Sequence, residues 1–288
     1  MTTATADVHL VRDRATWVWF LPPWLAALAL YAQLFPALVS EWAKFPSLSH
    51  GFAIPFIAGY LLWARRDLLR VLPFEPSAWG LPVVVLGLLG LVVGVRGDEP
   101  FVARISLPVT LFGLALFLGG WRITRQVWAA IAYLLFMIPL PWATVKLVTY
   151  RSRLFDADAS AYLLGWLGVP VYQDGVMLHL ANISLEVADD CSSIPAIAAL
   201  LSLGVAYAAV ARRPLWVRLV LIGATLPFAI GANIVRITST AAGAYWIGPW
   251  TLHTSYHMFN GTVNFLFTFM MLMALDWVLR RWVDRRPA

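Results

Sequence analysis

The feature that most limits this chain is a succession of apolar runs, most of them about as long as a bilayer is thick. A helix rises about 1.5 Å per residue and the hydrocarbon core is about 30 Å deep, so a crossing needs about 20 mainly apolar residues. Runs that meet or approach this length fall at residues 16–38, 50–63, 79–95, 101–120, 127–145, 191–210, 215–246 and 254–279. Composition agrees, because 61% hydrophobic and 12% charged residues leave too little polar surface for a soluble domain of 288 residues. The expectation is an all-α polytopic membrane protein of about eight transmembrane helices, forming a single membrane-embedded domain over 1–288. The second run is short, and part of 45–49 belongs to its entry.

Cytoplasmic loops retain excess Lys and Arg, which fixes the expected orientation. With the N-terminus inside, Arg12, Arg14, Arg65, Arg66, Arg70, Arg122, Arg125, Arg212, Arg213, Arg218, Arg280, Arg281, Arg285 and Arg286 are all cytoplasmic, 14 of the 21 basic residues. Lys44, Arg96, Arg104, Lys146, Arg151 and Arg153 fall outside, and Arg236 lies within a run. Both termini are therefore expected in the cytoplasm. The first run is too long for a signal-peptide core and precedes further runs, so it is expected to stay attached as an anchor. The net charge of +6 flanks apolar spans and does not gather on a soluble face, which argues against nucleic acid and for lipid as the partner.

One connection is long. Residues 146–190 form the expected extracytoplasmic insertion, which opens with an amphipathic stretch over 150–168. There Arg151, Arg153, Asp156 and Asp158 mix with Leu154, Phe155, Tyr162, Leu163 and Trp166, as in a helix lying at the interface. Over 169–187 the pattern changes to alternation in Val176, Leu178, Leu180 and in Ile183, Leu185, Val187, with Asp174-Gly175 as a tight-turn signal. A small outward-facing β-hairpin or meander is expected. It serves either as a connector capping the helices or as an edge that holds an extended peptide.

Polar groups are costly in a bilayer, so those that gather at the outer ends of runs are the candidates for chemistry. Cys191 is the only cysteine; it cannot form an internal disulfide, and it is either an inert filler or a reactive thiol. It opens the sixth run just after Asp189 and Asp190, which can cap the helix, and a helix N-terminus favours thiolate. Arg236, about 20 residues into the seventh run, reaches the same outer level, and Asn233, Arg236 and Thr240 form one polar stripe expected to face the bundle interior. His257 enters the last run from that side, with Asn260, Gly261 and Asn264 on its face. Gly261 lets a neighbouring helix or substrate backbone approach closely. A cysteine nucleophile needs an acid/base partner and a stabiliser of charge, and a histidine and an arginine can fill those roles. Taken singly, each has an ordinary reading as packing, snorkelling or solvated side chain. His253 and His257 share a face, but the three residues between them include no glutamate of the kind found in metalloprotease helices, and no metal or other cofactor is expected.

Four blocks of residues then carry a resemblance. They are Ser49-His50-Gly51 before a run ending Tyr60-Leu61-Leu62-Trp63; Leu185-Glu186-Val187-Ala188-Asp189-Asp190-Cys191-Ser192; Ala232-Asn233-Ile234-Val235-Arg236; and His257 with Gly261. In order and topology this pattern resembles the exosortase and archaeosortase family of membrane-embedded, sortase-like cysteine transpeptidases. The resemblance implies a site facing the periplasm or exterior of a bacterial inner membrane. There Cys191 would be the nucleophile, Arg236 the stabiliser of thiolate or oxyanion, and His257 the acid/base, with Glu186, Ser192, Asn233, Asn260 and Gly261 in supporting positions and His50 either joining the site or anchoring its helix at the interface. It also implies substrate proteins with a C-terminal sorting signal, built of a short motif such as Pro-Glu-Pro, an apolar span and a basic end, and transferred to an acceptor the sequence does not specify. The family's Cys-Ser-Gly reads Cys191-Ser192-Ser193 here, adding a side chain where the backbone is usually bare. The alternatives are a member that binds sorting signals without cleaving them and a non-catalytic membrane component of exopolysaccharide assembly or transport, in which the Asn233 stripe would line a path.

Overall fold

The computed structural model describes residues 14–187, 193–210, 214–252 and 254–284. The chain divides into two compact units, Met1–Pro139 and Leu140–Ala288.

In the first unit, α1 (Arg14–Tyr31) passes through a 3-10 turn, Ala32–Leu34, into α2 (Phe35–Lys44). A second 3-10 turn, Pro46–Phe52, leads to α3 (Ile54–Trp63), and α4 (Arg66–Val71) follows. The pair α5 (Gly80–Arg96) and α6 (Pro100–Leu114) is the most closely packed of the unit. The reason is three glycines at seven-residue spacing: Gly80, Gly87 and Gly94 are buried on α5, with Gly87 and Gly94 against α6 and Gly80 against Phe117 just beyond it. A Cβ added at Gly87 would stand 2.2 Å from Thr110 Oγ1, and one at Gly94 2.3 Å from the Ala103 nitrogen. Small residues permit this backbone approach, and in lipid van der Waals contact of this kind drives helices together. A π-helical stretch, Ala115–Gly119, ends α6, and α7 (Gly120–Tyr133) starts at Gly120 with φ 74 and ψ −176. That conformation breaks the helix, and a Cβ there would overlap the Glu75 carbonyl, so glycine is required twice over.

The second unit opens with α8 (Trp142–Trp166). A three-stranded antiparallel meander follows, β1 (Val171–Asp174), β2 (Met177–Leu180) and β3 (Ser184–Glu186), paired Asp174 with Met177 and Leu178 with Leu185. The expected alternation sets its faces: Val176, Leu178, Leu180, Ile183, Leu185 and Val187 all belong to one apolar cluster with Ala157 and Leu164 of α8 and Ala241 and Ala242 of the long helix below. Gly175, with φ 59, makes the β1–β2 turn. Then come α9 (Ser193–Val210), α10 (Leu215–Trp246) and α11 (Thr254–Asp284), and α10 packs against α8, α9 and α11.

Among the described residues four runs are long and apolar enough to cross a membrane: Leu21–Lys44, Pro100–Met137, Leu215–Trp246 and Phe259–Trp282. The eight expected are not reached. The 50–63 run is a helix only from Ile54 to Trp63, about 15 Å long. The 127–145 run breaks after the 3-10 turn Leu134–Met137, where Pro139 and Pro141 remove two donors. Gly80–Arg96 and Ile197–Val210 are shorter apolar helices. The stretch expected as an amphipathic helix over 150–168 is helical as the greater part of α8; its Arg153 and Asp156 are buried, and its Arg151, Phe155, Asp158 and Tyr162 are exposed.

Candidate functional site

The polar stripe of α10 divides between two neighbours. Asn233 is fully buried, and its Nδ2 donates to Asp156 Oδ2 of α8 at 3.0 Å. Arg236 and Thr240 face α11. The Thr240 hydroxyl donates back to the Arg236 carbonyl at 2.8 Å and receives Asn260 Nδ2 at 2.9 Å. Gly261 lies beneath the Arg236 guanidinium, so close that a Cβ there would be 3.6 Å from Nη1. The stripe faces neighbouring helices as expected, whereas at Gly261 only the tip of the Arg236 side chain comes near, at ordinary contact distance.

Arg236 also lines a cavity of about 220 Å³, closed on its other sides by Leu178, Leu185, Glu186 and Val187 of the meander, Ile237, Thr240 and Ala241 of α10, and Leu252. At about 30 Å³ per water, that space holds several waters or one residue of a peptide. Its walls are apolar except for Arg236, Thr240 and Glu186, so a negative charge placed inside meets a guanidinium.

The strand that forms one wall is tied down by Arg153 of α8. Arg153 is 8% exposed; its Nε donates to the Val187 carbonyl and its Nη2 to Glu186 Oε1 at 2.7 Å. One turn along, the Asp156 carboxylate also accepts from Ser152 Oγ at 3.4 Å, and Ser160 Oγ donates to the Ile234 carbonyl of α10 at 3.4 Å. The sequence reading passed over this ladder. Its signal is the i, i+4, i+8 spacing of Ser152, Asp156 and Ser160, which puts all three on one face.

Of the other candidates, Cys191, Ser192 and His253 lie outside the described residues. The chain enters that gap four residues before Cys191, at Val187 on the cavity wall, and resumes at Ser193 with α9. His257 is on α11 one turn before Gly261. His50 belongs to the first unit, in the 3-10 turn before α3. Burial there pushes its imidazole below the usual histidine pKa, against the opposing effect of backbone hydrogen bonds at Ser47 and Phe136. Its neighbour Gly51 packs under the Trp42 indole, where a Cβ would stand 2.4 Å from Nε1, and that nitrogen donates to the Met137 carbonyl at 3.0 Å. The Ser-His-Gly block therefore has a packing reason at its glycine.

Long apolar helices, with a buried arginine and a small cavity under a β meander, define an integral membrane protein with a polar site. The chain belongs to the transmembrane exosortase family, whose model matches residues 42–274. Neither a curated protein nor a solved structure matches the chain.

Proposed function

We propose that this membrane exosortase is a cysteine transpeptidase that cleaves a C-terminal sorting signal at the outer face of a bacterial inner membrane and passes the protein to an acceptor. The observation that carries the proposal is the setting of Arg236: it lines a cavity whose opposite wall, Leu185 to Val187, leads within four residues to Cys191, and it overlies Gly261, one turn from His257.

In this reading the Cys191 thiolate attacks a peptide carbonyl carbon, a C–S bond forms, and the developing oxyanion is stabilised by the Arg236 guanidinium. The C–N bond then breaks as His257 gives its proton to the leaving amine, which leaves a thioester on Cys191. An amine or hydroxyl acceptor, or water, loses a proton to His257, attacks the thioester and releases the thiolate. The sorting-signal protein is the substrate, and its apolar span brings the cleavage point to membrane level.

The transport alternative needs the Asn233 stripe to line a path. Asn233 is fully buried and bonded to Asp156, so the stripe offers no open route at that level. The test is to co-express a tail-bearing substrate and follow its size in membranes for the wild type and for Cys191→Ala, Arg236→Ala and His257→Ala. Loss of cleavage in all three, with each variant inserted, is the expected result. Cleavage surviving Cys191→Ala rejects the cysteine mechanism.

A further inference from the structure

We infer that Arg153 and Asp156 are positioning residues, which hold the strand leading to Cys191 and the turn of α10 carrying Arg236 to a single face of α8. The inference rests on the assignment of Cys191 and Arg236 proposed above.

Three contacts fix the strand end. The Val187 N–H donates to the Val176 carbonyl at 3.0 Å, the Val187 carbonyl receives Arg153 Nε, and the Val187 side chain, 3% exposed, is packed in the apolar cluster. Arg153 Nη2 adds the Glu186 carboxylate at 2.7 Å. The fork of the guanidinium thus holds a backbone carbonyl and a carboxylate at once, which a lysine ammonium cannot reproduce at the same angles. Val187 precedes Cys191 by four residues in the sequence.

Asp156 acts on the other partner. It is fully buried, and Asn233, whose Nδ2 it accepts, precedes Arg236 by three residues on the same face of α10, a rise of about 4.5 Å. Ser160 bonds the Ile234 carbonyl between them. Burying a carboxylate and a guanidinium is costly unless both are bonded, whereas an apolar α8 would pack in lipid at no such cost. The polar groups sit on the helix that touches both the strand end at Val187 and the α10 turn that carries Arg236, and they hold those two elements to one helix. A misplacement of about 1 Å at reacting atoms costs about a hundredfold in rate.

The test uses the full chain in nanodiscs with a synthetic sorting-signal peptide and two readouts: kcat and KM for cleavage, and the pH profile of iodoacetamide alkylation. Alkylation reports on Cys191 alone, because the chain has no other cysteine. Arg153→Lys and Asp156→Asn are expected to lower kcat about ten- to a hundredfold, change KM less than about threefold, and alter the alkylation profile. Exchanging the partners in Asp156→Asn with Asn233→Asp is expected to restore most of kcat, and this double variant keeps the test open if a single variant folds poorly. Wild-type kcat and alkylation in Arg153→Lys and Asp156→Asn overturn the inference. Cleavage retained in Cys191→Ala overturns it from below, by removing the cysteine mechanism, and the two failures are told apart by that variant alone.

Discussion

Two arginines, one in each unit, are held differently: Arg104 is buried and Arg236 is half-buried. In the first unit Arg104, 7% exposed, gives Nη1 and Nη2 to the two oxygens of Glu41 at 2.8 and 2.6 Å, a closed bidentate pair. In the same unit the fully buried Tyr31 hydroxyl meets Ser106 Oγ and Thr110 Oγ1 at 2.9 and 2.8 Å, and glycines let α5 approach α6. In the second unit Arg236 faces a cavity and a glycine. The difference separates two settings of an arginine. The Glu41 fork ties Arg104 to a neighbouring helix, whereas Arg236 borders a cavity, as the role proposed for it above requires.

The largest expected contrast follows from that division. Arg236→Ala should lower cleavage about a hundred- to a thousandfold, the range for removing a stabiliser of developing charge, with little change in thermal stability. Glu41→Ala should do the reverse. It leaves the Arg104 charge uncompensated, at the low end of the roughly 3–5 kcal/mol typical of a broken buried pair because Glu41 is 32% exposed. Cleavage per folded molecule should stay near wild type. Parallel melting curves and cleavage rates check both, and equal effects on both readouts for both variants would erase the distinction.

Glycines sharpen the same comparison at smaller scale. A Cβ at Gly87 would collide with Thr110 at 2.2 Å, so Gly87→Val should cost at least about 1–3 kcal/mol as overpacking. Gly261→Ala places its Cβ 3.6 Å from Arg236, an ordinary contact, and should cost less than about 1 kcal/mol. Denaturation in detergent reads both, and a Gly261→Ala variant as unstable as Gly87→Val would mean that α10 and α11 are as tightly closed as α5 and α6.

The parts legible in the sequence were those written in local pattern. Alternation over 176–187 and the Asp174-Gly175 turn give the meander, and the spacing of Asn233, Arg236 and Thr240 with that of Asn260 and Gly261 gives the two faces that meet at Arg236. What escaped depends on partners far apart in the chain. Arg104 finds Glu41 across 63 residues and Asn233 finds Asp156 across 77, and no periodicity announces either pairing. The break between α7 and α8 was available in Pro139 and Pro141 but was hidden by the apolar residues on both sides, which hydropathy alone reads as one run. The polar ladder of α8 was not legible because amphipathicity does not say what covers the polar side.

The most direct measurement of the central claim is to look for the covalent intermediate. Purified protein is mixed with a sorting-signal peptide without acceptor, quenched in acid, and the Cys191-containing fragment is weighed by mass spectrometry. A hydroxylamine-sensitive acyl adduct on Cys191, lost in Arg236→Ala, is the predicted result. Cleavage of the peptide without any adduct, and undiminished in Cys191→Ala, would contradict the account.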